Sequence, residues 1–187
     1  MNTFKTYFSI ILFALISSCS CKQLYFTESE SLWAKSYEKG DLAIFQSNKD
    51  IKRRDTITIL NKSHSMPAED CNPAVSLVNS EFYLIEAKYS HDGEANESDY
   101  LLQLDKTENG KVIPVIRIFD IEFSGNEIKD TVVTLKKFGI QNCYSFNEFD
   151  CFDNLPNFKI KNFVWSKKLG LVQYTAEDGE KYELIQK

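Results

Sequence analysis

Few side chains in this sequence are equipped for chemistry, and the thiol of Cys19 has the clearest setting. It follows Leu15-Ile16-Ser17-Ser18, so an apolar stretch ends in two small side chains and then a nucleophile. The other candidates are thinner. His64 and His91 are the only two histidines, which leaves little material for imidazole catalysis or a multi-histidine metal site. His64, Met66 and Cys71 share one loop and carry the N and S donors of a soft copper site, but a loop imidazole and an oxidised cysteine explain them more simply. Asp120 with Glu122, and Glu28 with Glu30, have the make-up of a glycosidase pair. The first pair reads as a solvated strand face and the second as a helix first turn, where acids meet the helix dipole favourably. No Gly-x-Ser-x-Gly elbow and no glycine-rich phosphate loop occurs. The expectation is a protein that is not an enzyme and carries no metal or cofactor.

The setting of Cys19 supplies an address. Lys5 gives a weakly basic start, and the apolar run from Tyr7 to Ile16 is far shorter than the roughly 20 residues of a membrane-spanning helix. That is a secretory signal peptide, and its end resembles the lipobox of bacterial lipoproteins. The resemblance implies that residues 1–18 are removed, that Cys19 takes a diacylglycerol and further acyl chains such as palmitate, and that residues 19–26 form a lipidated tether. Cys21 is a rival for modification, but three positions before it stands Ser18, where Cys19 has the branched Ile16. Ser20 rather than Asp follows Cys19, and Glu28 is the first acid beyond it. Neither the inner-membrane retention pattern nor the acidic surface-export run is present, so the expected location is the outer membrane, facing the periplasm. The lipid on Cys19 would be the membrane contact.

A net charge of −5 with both signs interspersed does not suit nucleic acid. Lys52-Arg53-Arg54, bracketed by Asp50 and Asp55, reads as a solvated hairpin loop. Of five cysteines, acylation of Cys19 would leave Cys21, Cys71, Cys143 and Cys151 in a compartment that permits disulfides. Cys143 and Cys151 would lie about 26 Å apart along one extended strand, so they pair only if the chain turns near Asn147. Closing that loop would stabilise the fold by about 2 to 3 kcal/mol through loop-closure entropy. Cys21 with Cys71 is then the pair left over, among three connectivities open to four cysteines.

The elements that must carry these residues are mostly strands. Thr27-x-x-Glu30 is a capping box ahead of Leu32, Trp33 and Tyr37, and predicts one short helix ending before Gly40. Beyond Gly40 the period becomes two. Residues 41–47 and 55–60 form a hairpin signature, and 61–79, with Pro67 and Pro73, reads as a long connection. Residues 81–89, 100–105 and 111–123 read as a meander, with a polar turn at 91–98 and Pro114 marking an edge or a bulge. Residues 130–138, 162–165, 169–175 and 181–185 complete the pattern. The fold class is therefore mostly β: a single domain over 27–187 built as a strongly curved antiparallel sheet or barrel with one short N-terminal helix. A β-sandwich is the competitor, because local alternation gives each strand one buried face in either case.

The terminal run Phe163-Val-Trp-Ser-Lys-Lys-Leu-Gly-Leu-Val-Gln-Tyr174, followed by Asp178-Gly-Glu-Lys-Tyr-Glu-Leu184, resembles the ending of many uncharacterised Gram-negative lipoproteins. The resemblance implies a β-rich envelope domain and no particular activity. Asp55-Thr56-Ile57 and Asp130-Thr131-Val132 also look like the Asp-(Ser/Thr)-aliphatic sites that some such bacteria O-glycosylate, although threonines starting β-strands account for Thr56 and Thr131 more simply. Two functions follow as expectations. One is an anchored, non-catalytic binding or interaction domain that docks onto an envelope protein, with the 61–79 loop as a contact. The other is a carrier of a lipid or other hydrophobic ligand, in a pocket lined by Phe82, Tyr83, Phe119, Phe123 and Trp165, although aromatics that fill the core account for these five more simply.

Overall fold

The helix begins where its capping residues require. In the computed structural model, which describes residues 22–68, 78–91, 93–119, 121–124, 128–146 and 160–187, Glu30 N donates to Thr27 Oγ1 at 3.3 Å and Thr27 N donates to the Glu30 carboxylate at 2.7 Å. Two backbone donors of the first turn are thereby satisfied reciprocally, and α1 runs over Glu28–Lys35. Its buried residues include Trp33 and Ala34.

The strands are β1 (Lys22–Leu24), β2 (Leu42–Ser47), β3 (Arg54–Ser65), β4 (Val78–Ser80), β5 (Phe82–His91), β6 (Glu94–Lys106) and β7 (Val112–Ile118). They continue with β8 (Ile121–Ser124), β9 (Lys129–Leu135), β10 (Gly139–Phe146), β11 (Ile160–Ser166), β12 (Gly170–Ala176) and β13 (Lys181–Gln186). Eleven of them make one antiparallel sheet in the order β8-β7-β6-β5-β3-β2-β13-β12-β11-β10-β9, while β1 and β4 form a separate parallel pair. The sheet is curled into a half-barrel; of the expected shapes this is the strongly curved sheet rather than the sandwich.

Alternation decides which face turns inward. In β5, Tyr83, Ile85, Ala87 and Tyr89 are buried while Leu84, Glu86 and Lys88 are not, and the cumulative twist of neighbouring strands brings the two wings of the sheet together. Phe123 of β8 meets Phe163 of β11 with ring centroids 4.5 Å apart, and Phe119 meets Tyr174 of β12 at 5.8 Å. Helix α1 bridges the same gap lower down. Glu30 pairs with Lys106 of β6 at 2.8 Å, while Trp33 stacks on Tyr144 of β10 at 4.5 Å and lies 6.0 Å from Trp165 of β11.

The strand count exceeds the sequence expectation for identifiable reasons. Residues 111–123 form two strands rather than one, because the chain reverses at Phe119, whose φ of 49° is the one positive value outside glycine among the described residues. Residues 94–98, expected in a turn, already belong to β6. β10 was not foreseen, since Gln141 and Asn142 interrupt its apolar pattern. The 61–79 connection is shorter than expected, with β3 running on to Ser65 and β4 starting at Val78. Within the expected 19–26 tether, residues 22–26 are part of the fold: β1 pairs with β4, Leu24 is buried, and Phe26 packs on the core. Pro114 sits in β7 opposite Leu104, one residue beyond the pairing with β8, so its missing N–H costs no bond of that ladder.

Strand direction gives the half-barrel two ends. The turns between β2 and β3, β5 and β6, β7 and β8, and β12 and β13 gather at one end. The turns between β6 and β7, β9 and β10, and β11 and β12 lie at the other, together with β1.

Candidate functional site

At the first of these ends, polar side chains converge inside the apolar interior. Asp55 shares its inward parity with Ile57 and Ile59 on β3, so the pleat that buries two isoleucines also buries a carboxylate completely. A lone ionised carboxylate in that position would cost several kcal/mol. Two distant strands answer it. His91, at the end of β5, places Nδ1 2.9 Å from each Asp55 oxygen, and the Tyr174 hydroxyl of β12 donates to Oδ2 in a short bond.

An aromatic wall surrounds this centre. Tyr174 stacks on Tyr182 at 4.9 Å, Phe45 packs against Tyr174 at 5.5 Å, and Phe119 lies 5.8 Å from the rings of both Tyr174 and His91. His91 keeps 23% of its side chain exposed whereas Asp55 keeps none, so the imidazole is the part of the centre that meets solvent. The carboxylate beside Nδ1 fixes the orientation of the imidazole ring.

The rim carries two more polar links. Arg53 Nη1 lies 2.6 Å from Glu180 Oε2, and Ser47 Oγ donates to the other oxygen of this buried carboxylate. The basic run at 52–54 is therefore more than a solvated loop, since Arg53 neutralises a buried acid. Lys49 pairs with Asp178 at 2.8 Å beside it.

His64, at the opposite end, follows the same rule. Its Nε2 lies 2.6 Å from Glu81 Oε1, its ring stacks on Tyr83 at 4.0 Å, and the other Glu81 oxygen accepts from Phe26 N at 2.6 Å. On the outer face, a hollow of about 300 Å³ is lined by Leu60, Leu84, Glu86, Asp99 and Tyr100. Arg117 braces it, paired with Asp99 at 2.5 Å and lying over the Tyr100 ring at 5.2 Å. Desolvation, together with the hydrogen bond to Glu122, pushes the Tyr100 hydroxyl well above the usual phenol range.

The five residues expected to line one pocket do not come together. Phe119 and Phe123 fill the gap between the wings, Tyr83 packs at the other end against Phe26 and His64, Trp165 lies beneath Trp33 and Tyr37, and Phe82 is half-buried. Thr56 and Thr131 are half-buried residues inside paired strands. Cys19, Cys21, Cys71 and Cys151 lie outside the described residues, as does Asp120.

Cys143 is buried with a free thiol. Burial pushes that thiol up to about 11, so it stays protonated at neutral pH. Native protein treated with iodoacetamide at neutral pH should therefore leave the Cys143 peptide unlabelled, and denatured protein should label it fully, as read by peptide mass mapping. Rapid native labelling would contradict the burial, and loss of labelling after denaturation without reductant would reveal a bridge.

Sequence reasoning missed Asp55 and His91 as a pair. Asp55 opens the expected 55–60 strand and His91 the expected polar turn, and the parity of Asp55 with Ile57 and Ile59 is a signal that it points inward. No known protein family, curated protein or solved structure matches this chain.

Proposed function

We propose that this chain is an envelope lipoprotein anchored through Cys19 in the outer membrane, facing the periplasm, and that its β domain works by binding a partner protein rather than by catalysis or ligand transport. What supports binding over carriage is the ring contact between the wings. The rings of Phe119, Phe123, Phe163 and Tyr174 meet across the gap between the wings and are buried there. The end bearing the Asp55 centre and its rim, with Ile51 72% exposed at the tip of the β2–β3 hairpin, is the contact surface in this reading.

The anchor is tested by metabolic labelling with palmitate. Cys19→Ser should abolish incorporation and Cys21→Ser should leave it intact; the reverse pattern moves the anchor to Cys21, and labelling of neither wild type nor variants removes it. Wild-type protein on intact cells should also resist added protease. Efficient release of the domain would place it on the cell surface instead.

A further inference from the structure

We infer that the end of the half-barrel carrying β1 is seated directly on the lipid headgroups of the bilayer that holds the anchor. The inference rests on the lipidation of Cys19. Three peptide units separate Cys19 from Lys22, so the two Cα atoms are at most about 11 Å apart however the intervening residues are arranged. A loose tether could extend this reach, but β1 is pinned at its first residue.

Lys22 pairs with Val78 in the β1–β4 register, and its Nζ donates to Glu108 O at 2.9 Å in the turn between β6 and β7. Gln23 and Asn79 both donate to Ala68 O, at 3.3 and 3.2 Å. Lys106 Nζ holds Tyr25 O at 2.7 Å, and Glu81 N donates to Leu24 O at 2.8 Å. Moving the domain farther from the bilayer than the Cys19–Lys22 span allows would require breaking these contacts together.

The surface around Lys22 suits a headgroup layer. Tyr25 is 48% exposed and Met66 56% exposed, and tyrosine rings are enriched at membrane interfaces because they are apolar in the body and polar at the tip. Lys22, Glu108 and Lys111 are exposed beside them, offering both signs of charge to zwitterionic and anionic headgroups. The opposite end stands well away. β3 runs from Arg54 to Ser65, about 36 Å at the strand rise, which places Ile51 and the Asp55 centre at the end remote from the anchor.

The test uses full-length lipidated protein in vesicles of phosphatidylethanolamine and phosphatidylglycerol containing a headgroup-spin-labelled lipid. Met66→Trp and Ile51→Trp place a fluorophore at the two ends, against a background of Trp33 and Trp165, both buried. The spin label should quench Met66→Trp several-fold more than Ile51→Trp, and twelve Gly/Ser residues inserted between Cys21 and Lys22 should reduce that difference. Protein that floats with the vesicles but shows equal quenching at both sites, or more at Ile51→Trp, would overturn the seating while leaving the anchor intact. Protein that lacks an acyl mass and does not float would overturn the anchor and the seating with it.

Discussion

Asp55→Ala should lower the unfolding free energy by about 3–5 kcal/mol, the range seen when one partner of a buried charged network is removed. The substitution leaves the His91 ring and the Tyr174 hydroxyl facing a void where a carboxylate accepted both, and it does so between strands of the two halves of the sheet. Tyr174→Phe is the milder control. It removes one donor to a charged acceptor, a loss of about 1.5–3 kcal/mol, while the ring stays stacked on Tyr182. Urea unfolding followed by circular dichroism measures both, and the double variant should lose less than the sum because the two side chains share one bond. A loss below about 1 kcal/mol for Asp55→Ala would mean that the carboxylate is not held by these partners.

Gly170→Ala should cost about 2–5 kcal/mol, of which about 1–2 is the left-handed backbone and about 1–3 the overlap with a packed side chain. Gly170 has φ +80°, and a methyl group there would fall on the ring of Tyr37. That ring has little room to move. Tyr37 is fully buried, its hydroxyl accepts from Leu171 N at 3.1 Å, and the Lys187 ammonium lies 4.0 Å from its centroid. Gly179→Ala separates the two causes, because Gly179 has the same φ of +80° but nothing within 4 Å of the added methyl. The urea midpoint should fall further for Gly170→Ala than for Gly179→Ala; equal shifts would show that Tyr37 is not wedged against the turn.

Much of the fold was legible where the information is local. The capping box at Thr27 fixed the helix start to the residue, and the alternation in Tyr83, Ile85, Ala87 and Tyr89 identified the inner face of β5. Strands whose pattern is interrupted were harder. β10 carries Gln141 and Asn142 between Ile140 and Cys143, and the reversal at Phe119 uses a backbone conformation normally reserved for glycine or asparagine, so no turn residue announced it.

The candidate site was less legible, and the aromatic residues show why. Phe119, Phe123 and Trp165 were correctly placed in the interior, but a buried face is the same whether it encloses a ligand or another aromatic ring. Asp55 and His91 were visible as residues and invisible as a pair.

The sequence by itself determined that the chain is mostly strands with one capped helix, and which side of several strands is buried, because propensity, capping and alternation act over a few neighbouring residues. Only the tertiary structure decided that aromatic rings of the two wings meet, and that a buried carboxylate at one end is held by His91 and Tyr174. Those partners lie 36 and 119 positions from Asp55. Their meeting is set by strand order and sheet curl, which local residue patterns do not encode.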